Sequence, residues 1–291
     1  MALARTATLV SLMVLVAIAL PLSAATHTKA KNRSTATATL AWSPLPYPTD
    51  ATQLAPNFRG LDPKAVWQFF VSKKRGFEKG EFETTEQFQQ RLANSSQALS
   101  PLSAENEYAF FLKNVTPKYN ADSQTYEASD YVFCKKTLGL GDDKGWVTCK
   151  IDSVKRERDS YVGTNSYGAS ARIERTVGKD LAIATQEGSD FLLSNAFERN
   201  AYSQYASTFD LKSQFAVPLH KAKSLAQYKL GLLLVGKFTT AKIIDGRSVL
   251  IDPTVSEPTD IFITQDAVPF APTRLVLFVI ETGEIVADQR L

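Results

Sequence analysis

The sequence predicts an α+β fold, with two short N-terminal helices followed by a mainly antiparallel, β-rich body. Three observations predict it. Between residues 62 and 92, apolar residues recur at helical spacing behind two capping signals. From Asn106 the pattern changes to alternation in short runs divided by turn residues. The chain's two cysteines, Cys134 and Cys149, bracket a Gly-rich turn, as the arms of a hairpin would.

The first helix begins at Asp62-Pro63, an N-cap followed by the one helical position that tolerates proline. Val66, Trp67, Phe69 and Phe70 supply a broad apolar face. Lys73, Lys74 and Arg75 fall in the last turn, where cations suit the helix dipole, and Gly76 ends it. Thr84 and Gln87 have capping-box spacing and open a second helix, with Phe88 and Leu92 one turn apart on a face.

The strands come next in order. Tyr108, Phe110 and Leu112 alternate, and Lys118 to Ala128 continues the pattern around a turn at Asp122-Ser123. Tyr131 to Lys136 and Trp146 to Ile151 flank the Gly139–Gly145 turn. If that hairpin is symmetric, Cys134 faces Cys149 and Val132 faces Ile151. Opposed residues of an antiparallel pair lie within disulfide reach. Tyr161 to Gly168 leads into Ala169, Ala171 and Ile173, and Val177-Gly178-Lys179 reads as a turn into Leu181 to Thr185. Residues 188–210 fit either a helical turn or loop packing, and a boundary there would split the domain in two. Pro218 to Gln227 reads as a short helix and Tyr228 to Phe238 as a buried strand. Pro253, Pro258, Pro269 and Pro272 mark loops and edge-like segments. Arg274 to Ile280 is a strongly apolar strand that turns through Glu281–Glu284 into Ile285 and Val286.

Ahead of this region stands a leader. Arg5 precedes an uncharged, mostly apolar run from Thr6 to Leu22, which closes in Pro21, Ser23, Ala24 and Ala25. That is the form of a secretory signal peptide over 1–25, cleaved after Ala25. The run is short for a membrane span, which needs about 20 apolar residues. Residues 26–60 are rich in Ala, Thr, Ser and Pro and read as a linker, with Trp42, Leu45 and Tyr47 able to lie on the domain as a strap. The folded domain is expected over 61–291. Export places the protein in the periplasm or outside the cell, where an even pair of cysteines forms a bridge.

Chemistry-bearing motifs are sparse. The formal charge is +3, too small to argue for a nucleic-acid partner. His27 lies in the linker, and His220 is read as a surface residue at a helix start, with no Gly-x-Ser-x-Gly elbow beside it. Asp142-Asp143 lacks the spacing of a calcium loop. Gly139-Leu140-Gly141 lacks the third glycine of a dinucleotide fingerprint. Lys155, Arg156 and Arg158 read as a solvated strand end. Tyr161, Tyr167, Tyr202 and Tyr205 are expected in exposed loops, a residue type suited to interfaces. No catalytic, cofactor-binding or metal residue is nominated, and the expected cofactor is none.

Three phrases resemble segments of uncharacterised exported bacterial proteins: Gly80-Glu81-Phe82-Glu83-Thr84-Thr85-Glu86-Gln87-Phe88, the Lys118–Ser123 turn, and Tyr161–Gly168. The resemblance implies a bacterial envelope protein and carries no functional residue with it. The expectation is thus an exported, non-enzymatic envelope domain that binds a protein or cell-wall partner. One alternative is a hydrolase of envelope polymers working through a carboxylate pair. Another is a carrier with an apolar cavity inside its sheet.

Overall fold

The first helix forms for the reasons its sequence contains. In the computed structural model, which describes residues 44–93, 99–136, 145–203 and 206–291, α1 spans Pro63–Lys73. Of residues 75, 92, 93, 132, 155, 201–203, 206, 207 and 245–250 the backbone alone is described. The expected signal peptide, His27, Asp142-Asp143 and Tyr205 lie outside these residues, as does the Tyr202 side chain.

Asp62 caps α1 by accepting the Lys64 N–H at 3.0 Å, and Pro63, Val66 and Phe70 are its buried face. The helix tightens into a 3-10 turn over Lys74–Phe77. α2 spans Thr85–Ala93 behind a reciprocal capping box. The Gln87 N–H donates to Thr84 Oγ1 at 3.2 Å, and the Thr84 N–H donates to Gln87 Oε1 at 3.0 Å.

The strands are β1 (Tyr108–Phe111), β2 (Lys118–Asn120), β3 (Thr125–Lys136), β4 (Trp146–Thr164) and β5 (Ser170–Gln186). After a single helical turn, α3 (Asp190–Leu193), come β6 (Phe197–Ser203) and β7 (Ala206–Ala216). The chain continues through α4 (Leu219–Leu225), β8 (Leu230–Phe238), β9 (Ile244–Ile251), β10 (Thr259–Val279) and β11 (Ile285–Arg290). The body is therefore β-rich, as expected. The eleven strands among the described residues form one sheet in the order β1-β8-β10-β5-β4-β3-β7-β6, with β11 and β9 also on β10 and β2 on β3. Residues 188–210 supply α3 and much of the β6–β7 hairpin, which extends this sheet beside β3.

The sheet is mixed rather than wholly antiparallel, because one of the described strand pairs runs parallel. β10 runs parallel to β5 from Thr259 to Pro269 and antiparallel to β8 from Phe270 to Val279. A parallel pair needs a long connection, and here everything from α3 to β9 supplies it. Pro269 and Pro272 lie inside this 21-residue strand rather than in loops. They sit where β10 changes neighbours, beside an irregularity between Pro272 and Arg274, which is where a strand tolerates a missing N–H. Gly178 makes no turn either. β5 runs straight through it, with Arg156 on one side and Ile263 on the other.

Cys134 and Cys149 form the expected disulfide and face each other in the β3–β4 ladder. Lys135 pairs with Thr148 and Lys136 with Val147, which is the symmetric register. The ladder starts at the bridge, so Val132 does not pair with Ile151. Before Cys134, β3 belongs to β7, with an irregularity between Asp130 and Cys134.

The main core is centred on aromatic rings. Phe238 lies 5.4 Å from Phe70, 5.5 Å from Tyr108 and 5.1 Å from Phe270, centroid to centroid. The disulfide and Phe209, Leu211, Leu232, Leu234, Leu275 and Leu277 join the same core. β8 reads as a continuous apolar run because both its faces are covered. Leu232 and Leu234 face the main core, while Leu233 and Val235 pack with Tyr47, Leu54, Ala109, Val276 and Phe278.

That second core exists because residues 44–60 lie along the domain as a strap. The Tyr47 N–H donates to Glu107 O at 2.7 Å, Leu54 N–H to Gly283 O at 2.8 Å, and Leu61 N–H to Ala109 O at 2.8 Å. Tyr47 is buried and Leu45 points out, 75% exposed. Gly60 holds a left-handed φ of 66°, and a Cβ there would sit 2.1 Å from Ala109 O. Under the strap, Arg274 lies 2.9 Å from Glu107 and 3.0 Å from Asp288, with side chains 13%, 9% and 33% exposed. α1 is tied to the sheet by its Trp67 indole, which donates to Asp266 Oδ2 at 2.9 Å; Lys179 Nζ lies 2.7 Å from the same oxygen.

Candidate functional sites

Two features are candidate sites. The first is an arm. β4 and β5 are far longer than the core needs. Their outer halves, Lys155–Thr164 with Ser170–Lys179, pair together beyond it. The first residues of β10 and the end of β9 extend this ribbon to four strands, in the order β4-β5-β10-β9. In β5 the boundary is sharp. Asp180 to Thr185 are all buried, whereas Ile173 is the one buried residue from Ser170 to Lys179. No side chain of this outer region belongs to a core cluster among the described residues.

The arm is held by polar contacts instead. Asp159 takes two hydrogen bonds from Arg175, the Nε one at 2.9 Å, and the Tyr161 hydroxyl donates to Asp260 Oδ2 at 3.2 Å. Those Arg175 contacts hold the Asp159 carboxyl below its usual range. At the tip, Asn165 Oδ1 accepts the N–H groups of Tyr167 and Ala169, each at 3.0 Å, and Gly168 takes a positive φ of 81°. Tyr167 at this turn is 94% exposed. Tyr161, Val162, Ile251, Val255 and Phe262 are the other large apolar side chains exposed on the arm. Tyr161 thus belongs to a strand, and Tyr167 to the expected turn. Arg156 lies mid-strand and is ion-paired with Asp180, not at a strand end.

The second feature is a partly open cleft of about 610 Å³, within the size range of small-molecule sites. Its apolar surface comes from the end of β1 (Phe111), the next turn (Val115), α4 (Leu225), the start of β8 (Leu230) and the residue after β10 (Ile280). Tyr119 and Tyr126 pack with tilted rings in one wall, centroids 5.0 Å apart, with Tyr119 donating to Val217 O at 3.1 Å. Burial foremost, then the neighbouring Tyr119, raises the Tyr126 phenol above its usual value. Lys113, Lys223 and Lys229 are the charged residues of the lining, which holds no carboxylate.

Lys113 is engaged, with Nζ 2.8 Å from Asp152. Burial works to raise the Asp152 carboxyl, but the Lys113 hydrogen bond, the Ser153 N–H and the charges of Lys113 and Lys64 outweigh it and hold the group low. Lys223 and Lys229 are exposed, and among the described residues neither ammonium has a partner. Arg59 adds a further positive charge, its guanidinium 4.4 Å from the centre of the Phe111 ring.

His220 is exposed on α4 beside the cleft-lining Leu219 and is not itself in the lining. The carboxylate reading needs a raised carboxyl, and among the described residues Asp130 has one. The Asp130 carboxyl is raised by burial first, with Lys150 opposing and Asp210 adding to the rise, and neither aspartate lines the cleft. The cleft is a surface feature at the ends of β1 and β8, not a chamber inside the sheet. Among the described residues no group of three or more His, Cys, Asp or Glu side chains is placed to hold a metal ion. Nor is any described helix long and apolar enough to cross a membrane.

The Gly80–Phe88 phrase turns out to be a turn and a cap. Glu83 accepts the Gly80 N–H at 3.0 Å and binds Arg91 through both oxygens, at 2.9 and 2.8 Å, directly ahead of the Thr84 cap. Hydrogen bonds from Arg91 and then from Gly80 lower the Glu83 carboxyl to about 2. The cleft itself was missed in the sequence. Its lysines and tyrosines come from two separate stretches of the chain, 113–126 and 223–229, and no local pattern joins them. Comparison with protein-family models, curated proteins and solved structures finds no match to this chain.

Proposed function

We propose that this chain is an exported, non-catalytic domain of the cell envelope that binds a protein partner through its arm. The observation that carries the reading is the arm's lack of burial. Ordering a strand costs about 1–2 kcal/mol of backbone entropy per residue, and sheets ordinarily recover it by covering an apolar face. The arm buries Ile173 and leaves Tyr161, Val162, Tyr167 and Phe262 exposed on strands and a turn held by polar bonds. A partner laid on it would cover those side chains and meet tyrosines, which are enriched at interfaces. The leader over 1–25 and the Cys134–Cys149 bridge support an oxidising compartment, periplasmic or extracellular.

The test is site-specific photo-crosslinking in cells that make the protein. A photoreactive residue replaces Tyr167, Val162 or Phe262 in turn. Phe82, 93% exposed on the Gly80–Glu83 turn, serves as the control position. A discrete heavier product from the arm positions and none from Phe82 is expected. Failure of all three arm positions to crosslink, or equal products from Phe82, refutes the reading.

A further inference from the structure

The cleft has a chemistry of its own, separate from the arm. Phe111, Val115, Leu225, Leu230 and Ile280 give it an apolar lining, and Tyr119 and Tyr126 add two aromatic rings tilted against each other. Burying a hydrocarbon chain there is favourable at about 25 cal/mol per Å² of apolar surface removed from water. The cleft's charge is one-sided. Lys223 and Lys229 stand on it with ammonium groups unpartnered among the described residues, and Arg59 lies over Phe111. Of the nearby carboxylates, which lie outside the lining, Asp152 is paired with Lys113 and Glu284 with Lys221, while Glu281 accepts the Lys229 backbone N–H at 3.1 Å.

We infer that the cleft binds a single-chain anionic amphiphile. Its chain lies along Phe111, Leu225, Leu230 and Ile280, and its negative head is held by Lys223 and Lys229. A neutral chain would use the apolar lining and leave the two lysines idle. A cationic one would be repelled by them. The charge-assisted contacts are what distinguish the anion. The carboxylate of a fatty acid and the phosphate of a lysolipid present the same chemistry to a lysine, a point charge without the forked geometry of arginine.

The test is titration calorimetry on the purified, disulfide-bonded protein with four probes: decanoate, decyl phosphate, decanol and decyltrimethylammonium. Saturable one-site binding of decanoate is expected, weakened at least tenfold in Lys223→Ala/Lys229→Ala and weakened by added salt. Both lysines are exposed, so this variant should fold normally. A second variant, Ala226→Trp, places a ring in the cleft from an exposed position and should abolish binding of every probe. Decyl phosphate binding without decanoate binding also supports the inference and assigns the head as a phosphate. Decanol binding as tightly as decanoate, or an unchanged affinity in the double-lysine variant, overturns it. So does the lack of a saturable site for either anion in folded protein. Photo-crosslinking at Tyr167 reads the arm alone, so the two proposals fail separately.

Discussion

Replacing Arg274 tests whether the strap is locked by charge. Arg274 comes directly after the irregularity in β10 and lies under residues 44–60. Its guanidinium is 2.9 Å from Glu107 Oε2 and 3.0 Å from Asp288 Oδ2. Glu107 Oε1 also accepts the Thr273 hydroxyl at 2.8 Å, while Glu107 Oε2 and Arg274 Nε lack a well-formed hydrogen bond. The pair is therefore close in charge but incompletely satisfied. Arg274→Met leaves Glu107 buried and uncompensated, and breaking a buried pair in this way costs about 3–5 kcal/mol. Glu107→Gln keeps an acceptor for Thr273 and leaves Arg274 its bond to Asp288, so a loss of about 1–3 kcal/mol is expected. In the double variant no charge is stranded beside Glu107, because Asp288 is a third exposed and can hydrate. The two losses should then fail to add, with a coupling of about 0.5–3 kcal/mol. Urea unfolding followed by the fluorescence of Trp67 and Trp146 measures all four proteins, with the denaturant slope checked for constancy. A cost below about 1 kcal/mol for Arg274→Met, or additivity within about 0.5 kcal/mol, refutes the reasoning.

Four further outcomes are expected. Burial first, then Asp288 and Glu107 against an opposing Arg274, pushes the Tyr47 phenol up to about 12. The neutral phenol is the form the fold favours, so this stabilisation is complete below the unfolded value near 10 and is lost as pH rises from 10 through 12. Tyr47→Phe should remove about 2–3 kcal/mol of the alkaline loss in stability, and an unchanged profile would sink the assignment. Reducing the Cys134–Cys149 bridge, whose residues are 15 apart in sequence, should cost about 3 kcal/mol in denaturant unfolding. A mass gain of two hydrogens on the peptides holding the two cysteines confirms the bond itself. Phe238→Ala should lose about 3–5 kcal/mol, since four aromatic neighbours meet that ring, and a loss under about 2 kcal/mol would show that the core collapses around it. Glu83 should titrate near pH 2 by carboxyl NMR, and an ordinary midpoint would show that Arg91 does not hold it. Its contribution to stability is present above the unfolded carboxyl value and is lost as pH falls through 2.

Much of the local structure was legible because local chemistry decides it. Asp62-Pro63 starts α1, and Thr84 with Gln87 starts α2. Each of these signals is complete within four residues. Cys134 and Cys149 sit on either side of a short Gly-rich segment, so equal spacing about its centre was enough to bring them opposite each other. The apolar run over β8 was readable as buried and the segment around Tyr47 as a strap, although which face that strap covers was not. Distant pairing, by contrast, was decided by tertiary structure alone. β10 takes β5 as a parallel neighbour, which makes the sheet mixed and places Pro269 and Pro272 inside a strand. Pairing on both sides likewise keeps Gly178 in a strand where its composition suggests a turn. The cleft depends on β1, β2, α4 and β8 meeting at one end of the sheet, and the arm on β4 and β5 outrunning the core. Capping and turn signals act over a few residues. The sites of this protein arise where strands far apart in the chain end together or fail to end together, and only the folded sheet sets those lengths.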